Sequence, residues 1–173
     1  LNQAGLTCMM ALVLGNKCGV KNQEVKDAIK RGNDFFAYYI GKGTIPYGDG
    51  EPYATFDDNG RSGQGAILFD FMGNKKGKQF YGELVLGDAP RGRDMGHTGC
   101  YWSHLWGGIG AARAGSKGLK AFMKEMDYIF TLERQPNGRF AFQDNPGEGG
   151  QRGDPKHKYN CTGARLLQLC VPK

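Results

Sequence analysis

The sequence lacks the apolar and cysteine patterns that mark several classes of protein. No apolar run reaches the roughly 18 residues that a membrane-spanning helix needs, and no charged region followed by an apolar one opens the chain as in a signal peptide. The five cysteines form no C-x-x-C pair, and their number is odd. We therefore expect neither a membrane span nor a disulfide scaffold, and we interpret the cysteines as buried free thiols, since Cys8, Cys100 and Cys170 lie within apolar helical stretches.

Dense runs of basic residues are also scarce, although the formal net charge is +6. The one cluster, at 74–78, resembles a solvated loop between helices, whereas nucleic-acid binders usually concentrate Lys and Arg on one face. We expect no nucleic-acid partner, and an anionic ligand such as an acidic glycan remains open. Because the chain does not begin with Met, we expect it to be a piece of a longer protein, with other domains of the same chain as partners. Its compartment is not indicated.

Glycine is what the sequence has in excess, with 29 in 173 residues, about 17% against a usual level of about 7%. The glycines are not periodic, and they stand where helices would start, end or turn. Four segments repeat one device, a small residue followed by glycine and then an apolar helical run. They are Ala4-Gly5-Leu6, Ser62-Gly63-Gln64, Thr98-Gly99-Cys100 and Thr162-Gly163-Ala164.

Apolar residues at helical spacing follow each of these segments and also occupy the stretches between them. The pattern predicts helices over about 5–14, from 22 to near 40, from 62 to 72, over about 80–85, from 98 to 109, from 119 to near 134 and from 162 onward. Those that follow the small-Gly steps are more apolar all round, whereas those between carry a solvated face, which is typical of inner and outer layers. We predict an all-α fold, a partial α/α toroid of helical hairpins with long Gly/Pro-rich loops, as one domain over 1–173. Short extended pieces are expected after Gly43 and Gly138.

This arrangement resembles the α/α toroid of terpenoid cyclases and protein prenyltransferases, which several polysaccharide lyases also use. Three segments together look closer to an uncharacterised bacterial domain family of this toroid type, namely 43–48, 59–63 and 96–102. That family has no assigned reaction, so the resemblance implies a fold and not a chemistry.

The chain departs from the catalytic motifs of the better-known toroid enzymes. It lacks the D-x-D-D proton donor of triterpene cyclases, and the nearest run is Asp57-Asp58-Asn59. It also lacks the Asp-x-Cys zinc motif of prenyltransferases and the Cys-His pair of lanthionine cyclases. Terpene, prenyl and lanthionine chemistry are therefore not expected. No cofactor is expected either.

Loops at the starts of inner helices should bring polar residues together at one rim of a toroid, where helix N-termini add positive potential. The residues two before the repeat glycines, Gln3, Arg61, His97 and Cys161, form this set. His97 precedes the N-cap residue Thr98, where the helix dipole favours a neutral imidazole, a form that suits a general base. Tyr101 lies one turn later and would serve as the acid, while Arg61 and Asn59 would bind and neutralise a uronate carboxylate. The alternative for His97 is a hydrogen bond to a neighbouring loop, and Tyr101 alternatively belongs to the core.

Two further ligand-binding candidates, Trp102 and His104, lie on the same predicted helix as Tyr101. Trp102 and Trp106 are four residues apart and form either a sugar platform or part of the core, and His104 lies between them. His97 and His104 are two helical turns apart rather than four residues, so we expect no metal site. A carboxylate pair for glycoside hydrolysis, drawn from Asp57, Asp58, Glu83 and Asp94, remains open.

The function predicted from these residues is a polar rim or cavity site that binds or processes carbohydrate, most plainly a polar oligosaccharide. If the domain is an enzyme, it is expected to be glycan-active or similar to a polysaccharide lyase. The alternative is a non-catalytic scaffold or interaction module of a larger protein, because no complete catalytic signature is present. The two would be distinguished by whether Arg61, His97 and Tyr101 share one solvent-reachable concavity.

Overall fold

The computed structural model describes residues 1–56, 59–88, 101–140 and 162–171, and within these ranges the chain folds into seven α-helices. They are α1 (Asn2–Lys17), α2 (Gln23–Ala37), α3 (Arg61–Phe71), α4 (Lys75–Gly87), α5 (Tyr101–Ala111), α6 (Ser116–Glu133) and α7 (Thr162–Leu169). The predicted all-α class is confirmed. In the described part of the chain, the expected extended pieces appear as two isolated antiparallel bridges, Thr44 with Tyr53 and Arg134 with Phe140. None of its helices is long and apolar enough to cross a bilayer.

Asparagine side chains begin two of the helices. The Oδ1 atom of Asn22 accepts from the backbone N–H of Glu24 at 2.7 Å, and that of Asn74 accepts from Gly77 at 2.9 Å. The second cap corrects one expectation. The lysine-rich stretch after Asn74 is the first turn of α4 rather than a loop, because the cap supplies an acceptor for the free N–H groups of that turn.

Helix α3 lies at the centre of the packing. Every residue from Arg61 to Phe69 is buried, and α3 packs against α1, α4 and α5. The odd-numbered helices contact one another in chain order, α1 with α3, α3 with α5 and α5 with α7. Helices α2, α4 and α6 pack against α1, α3 and α5 respectively. The larger apolar cluster lies among α1, α2, α3 and α4, and a second joins α4, α5 and α6.

Glycine brings α3 and α5 into backbone contact. A Cβ atom on Gly63 would lie 2.6 Å from the carbonyl oxygen of Trp106, and one on Gly110 would lie 2.5 Å from the Cα of Gly63. Neither backbone atom can move without separating the helices. The other described small-Gly starts differ, since a Cβ on Gly5 would meet its nearest atom at 3.4 Å and one on Gly163 would meet nothing within 4 Å. Close approach therefore explains the repeat only at Gly63, and Gly99 lies outside the described residues.

Helix α7 presents its leucines outward. Leu166, Leu167 and Leu169 are about half exposed, whereas Arg165 and Gln168 are buried against the rest of the fold. This arrangement is the reverse of the apolar inner face expected from the sequence. Arg165 instead turns inward, where its guanidinium binds the buried carboxylate of Glu133, as described below.

The cysteines also differ from expectation. Cys8, Cys18 and Cys170 are free, as predicted, but all three are exposed, because each lies on the solvent side of its helix or just beyond a helix end. Cys100 and Cys161 lie outside the described residues.

A candidate ligand groove at the helix starts

A groove of about 560 Å³ lies where α1 and α3 begin and where the first turn of α5 approaches them. Two consecutive residues with left-handed backbone, Asn59 (φ 51°) and Gly60 (φ 78°), turn the chain into α3 at this place. A Cβ on Gly60 would collide with the carbonyl oxygen of Trp102, so only glycine fits there. We call this cavity the amide groove; its lining residues are Leu1, Gln3, Ala4, Thr7, Cys8, Tyr47, Asn59, Gln64 and Trp102.

Gln3 and Asn59 are joined by two hydrogen bonds that fix the orientation of both amides. The Nε2 group of Gln3 donates to the backbone carbonyl of Asn59 at 2.9 Å, and Nδ2 of Asn59 donates to Oε1 of Gln3 at 3.0 Å. A backbone carbonyl can only accept, so the Gln3 amide has one allowed orientation and the Asn59 amide follows from it. The Oδ1 atom of Asn59 is left buried with no donor among the described residues.

Gln64, one turn into α3, also has an oriented side-chain amide whose oxygen is buried without a donor. Its Nε2 group donates to the hydroxyl of Thr7 at 3.1 Å and to the backbone carbonyl of Gln3 at 3.4 Å. The Thr7 hydroxyl in turn donates to the same carbonyl at 3.3 Å. The Gln64 amide is thereby oriented as well, and its Oε1 atom is buried without a donor in the described part of the structure.

The lining of the amide groove is otherwise apolar and uncharged. Among the described residues, none that lines the groove carries an Asp, Glu, Lys, Arg or His side chain. Half-buried Trp102 and partly exposed Tyr47 supply aromatic surface, and Cys8 supplies an exposed thiol. The groove therefore combines exposed aromatic surface with two oriented carbonyl oxygens that are buried in its wall.

The structure brings two of the predicted site residues, Asn59 and Trp102, to the groove and sets Arg61 apart from it. Arg61 is 1% exposed; its Nε donates to the carbonyl of Ile45 at 2.7 Å, and its guanidinium lies 5.6 Å from the ring centre of Tyr47. These contacts anchor the segment before α3. A direct role of Arg61 toward a ligand stays a prediction.

His104 lies in a different, fully buried cluster between α5, α6 and α7. Its Nδ1 atom is 2.5 Å from Nη2 of Arg165, and Arg165 also donates to both carboxylate oxygens of Glu133, at 2.5 and 2.7 Å. A guanidinium N–H can only donate, so Nδ1 accepts and the ring proton of His104 lies on Nε2. All three side chains are at most 2% exposed. His104 thus belongs to this buried cluster and does not line the amide groove. A role of His104 in ligand binding remains a prediction.

The proposed catalytic pair is not located by the structure. His97 lies outside the described residues, and only the backbone of Tyr101 is described, as the first residue of α5. Whether His97, Tyr101 and Arg61 share one concavity thus stays open. Trp106, the other aromatic residue of the predicted platform, packs against the larger apolar cluster rather than lining the groove. In the described ranges, no group of three His, Cys, Asp or Glu residues is placed to hold a metal ion. The expectation that the protein has no metal site stays a prediction.

Sequence reasoning missed Gln64, Thr7, Tyr47 and Cys8 as groove residues. Gln64 was the polar residue inside an otherwise apolar run, and a buried glutamine in such a run was the available signal. Thr7 and Cys8 lie on the solvent face of α1, where nothing in the sequence separates them from other exposed residues.

Comparison with known proteins gives one match. The entire chain, residues 1–173, matches the family model described as a domain of unknown function, DUF6288. No curated protein and no solved structure matches it. The chain with the amide groove at its helix starts thus belongs to the DUF6288 family of domains of unknown function.

Proposed function

We propose that this domain binds a carbohydrate in the amide groove. The observation that carries the proposal is the pair of buried, oriented acceptor oxygens, Asn59 Oδ1 and Gln64 Oε1, in the wall of one cavity. An unmade hydrogen bond of this kind costs about 1–3 kcal/mol. A ligand hydroxyl that donates to either oxygen recovers that free energy. Reaching them takes a side-chain adjustment in the groove wall, which is common on binding.

The aromatic lining supports the same class of ligand. A sugar ring has C–H faces that pack on aromatic surface and hydroxyl groups around its edge, and Trp102 and Tyr47 offer such surface beside the amides. The volume of about 560 Å³ falls in the range of small-ligand sites and accommodates one or two sugar rings.

The toroid architecture belongs to the proposal too. Its support is the order of helix contacts, in which α1, α3, α5 and α7 follow one another and each of α2, α4 and α6 packs against the odd-numbered helix before it. In such an arrangement the starts of the inner helices meet at one rim, and Gln3, Asn59 and Trp102 come from three such starts. Catalysis at this rim by His97 and Tyr101 is a further proposal.

The test is a binding screen with a native reporter. Cys8 lines the groove, and Cys18 lies ten residues further along the chain, about 15 Å away by helix rise. Site-resolved mass spectrometry after brief alkylation should show that a bound oligosaccharide protects Cys8 while Cys18 reacts at an unchanged rate. Saturation-transfer NMR on the sugar provides an independent readout.

Gln64→Met is the variant that tests the acceptor oxygen, because methionine preserves the length of the side chain. It should weaken binding about tenfold. Gln79→Met, on the exposed surface of α4, is the matched control and should bind normally. If no sugar of a broad panel protects Cys8, the carbohydrate proposal is wrong and the non-catalytic scaffold is favoured. If Gln64→Met binds a sugar as tightly as the wild type does, the ligand does not use the Gln64 oxygen, and the observation that carries the proposal is refuted.

A further inference from the structure

We propose that Asn137 is a site of spontaneous deamidation, in which its side-chain amide becomes a carboxylate, and that the fold protects Asn59 from the same reaction. The sequence contains two Asn-Gly pairs, at 59–60 and 137–138, and each is followed by arginine. Because the two tripeptides are identical, the difference in reactivity between them arises from the fold. This inference is independent of the proposed carbohydrate function.

Deamidation at an Asn-Gly pair is an attack of the main chain on the side chain. The backbone nitrogen of Gly138 gives up its proton to a base of the solvent and forms a bond to Cγ of Asn137. The bond from Cγ to Nδ2 breaks, the nitrogen takes up a proton and leaves as ammonia, and a five-membered succinimide remains. Water then opens one of the two carbonyl bonds of that ring and leaves aspartate or isoaspartate. The net change is one water gained and one ammonia lost, and glycine favours it because no side chain hinders the attack.

The turn after α6 presents Asn137 and Gly138 to solvent. Pro136, Asn137 and Gly138 form the exposed loop of a short hairpin, in which the N–H of Gln135 donates to the carbonyl of Arg139 at 2.7 Å. A Cβ on Gly138 would meet nothing within 4 Å, so the space around this nitrogen is open. The φ of Gly138 is 82°, a conformation that favours glycine. The turn thus requires the residue that makes Asn137 reactive.

The Asn137 amide is held beside the main chain that follows it. Its Oδ1 accepts from the backbone N–H of Arg139 at 3.1 Å, which draws electron density from Cγ and prepares that carbon for attack. One contact opposes the reaction, since the N–H of Gly138 donates to the carbonyl of Gln135 at 2.9 Å and must first be released. That bond lies in an exposed loop, where water replaces it at small cost.

Asn59 is enclosed although its tripeptide is the same. It is 4% exposed, and its Nδ2 donates to Oε1 of Gln3 at 3.0 Å. The backbone of Gly60 packs so closely on the carbonyl of Trp102 that no Cβ would fit between them. Closure of the succinimide would break the buried hydrogen bond and move this packed turn. The reaction at Asn59 should therefore be slower by about tenfold or more.

The experiment follows both sites in one sample of the protein, incubated in its folded state at mildly alkaline pH. Aliquots are digested at mildly acidic pH, which suppresses further reaction, and mass spectrometry measures the conversion at Asn59 and at Asn137 separately. A parallel incubation in concentrated guanidinium chloride gives the rate of each site in the unfolded chain. Relative to that rate, folding should protect Asn59 about tenfold or more beyond any protection of Asn137.

The variant Asn137→Ser provides the control for the site. Serine has no amide to lose and keeps an oxygen beside Arg139, so the signal at the turn should vanish while the slow conversion at Asn59 is unchanged. Isoaspartate at position 137, identified by fragmentation of the peptide, should accompany aspartate, because direct hydrolysis of the amide gives aspartate alone. Equal protection of the two sites in the folded protein overturns the role of the fold. An Asn137 that reacts in denaturant but not in the folded protein, or that gives no isoaspartate, overturns the modification site.

Discussion

Two buried tyrosines in the larger apolar cluster should respond in opposite directions to loss of the hydroxyl group. Tyr81 is fully buried, its ring stacks on Phe69 at 5.7 Å, and its hydroxyl has no hydrogen-bond partner among the described residues. Tyr39 is 2% exposed, and its hydroxyl donates to the carbonyl of Gly50 at 3.0 Å. Because the ring packing survives in phenylalanine, each Tyr→Phe change isolates one hydroxyl group.

Tyr81→Phe should raise the free energy of unfolding by about 1 kcal/mol, because it removes a buried polar group whose desolvation is uncompensated. For a chain of this length that corresponds to a rise in Tm of about 2–4 °C. Tyr39→Phe should lower the free energy of unfolding by about 1 kcal/mol, because it leaves the Gly50 carbonyl without its donor. Calorimetry and urea unfolding at pH 7 measure both.

The free energy of unfolding at alkaline pH provides a second comparison, between the wild type and Tyr81→Phe. Burial, followed by the nearby Tyr39, raises the pKa of Tyr81 well above its ordinary value of 10.0. Above pH 10 the Tyr81 phenol ionises in the unfolded chain but stays neutral in the folded protein. The free energy of unfolding of the wild type is therefore independent of this group below pH 10 and falls as the pH rises beyond it. Above pH 10 the wild type should lose about 1.4 kcal/mol per pH unit more than Tyr81→Phe does. A destabilised Tyr81→Phe, or parallel pH profiles above pH 10, would refute the assignment of Tyr81 as a buried, unpartnered hydroxyl.

Two other parts of the fold give predictions that unfolding measurements can check. Gly63→Ala should lower the free energy of unfolding by about 2 kcal/mol or more, because its Cβ would meet the α5 backbone. Gly15→Ala in α1, whose Cβ would meet only the side chain of Val20 at 3.8 Å, should raise it by about 0.5–1 kcal/mol, and equal effects would contradict the close α3–α5 contact. Glu133→Gln should cost about 3–5 kcal/mol by leaving Arg165 buried without its carboxylate, and the double change Glu133→Leu with Arg165→Leu should be less harmful than the single one. A double variant as unstable as the sum of Glu133→Leu and Arg165→Leu measured separately would show that the two side chains do not stabilise each other, and would refute the coupling.

Helix positions were predictable from the sequence because they depend on local signals. Apolar spacing predicted each of the seven described helices, although α4 begins at Lys75, about five residues before its first apolar residues. Asn22 identified the start of α2 through its side-chain cap. The sixth predicted helix, from 119 to near 134, corresponds to α6 at Ser116–Glu133. The all-α class followed from the same periodicity.

The orientation of helices about their own axes was not predictable in the same way. The leucines of α7 suggested an apolar inner face, yet Arg165 points inward because it binds Glu133, which is 32 residues earlier in the chain. No local pattern contains a pairing over that separation. The same limit applies to the groove, where Gln3 and Asn59 were expected at one rim but the buried Gln64 was identified only from its contacts.

The turn before α3 links backbone shape to the chemistry of the groove. Asn59 has a φ of 51°, which Asn, Asp and Gly adopt at little cost and which other side chains adopt only with strain. At position 59, Asn supplies a neutral carbonyl oxygen, Asp supplies a carboxylate and Gly supplies no side-chain oxygen. Side chains of intermediate polarity would strain the backbone there. Gln64 lies within α3 under no such backbone constraint, so it is the position where the selectivity of this groove can be tuned by graded substitution without disturbing the turn.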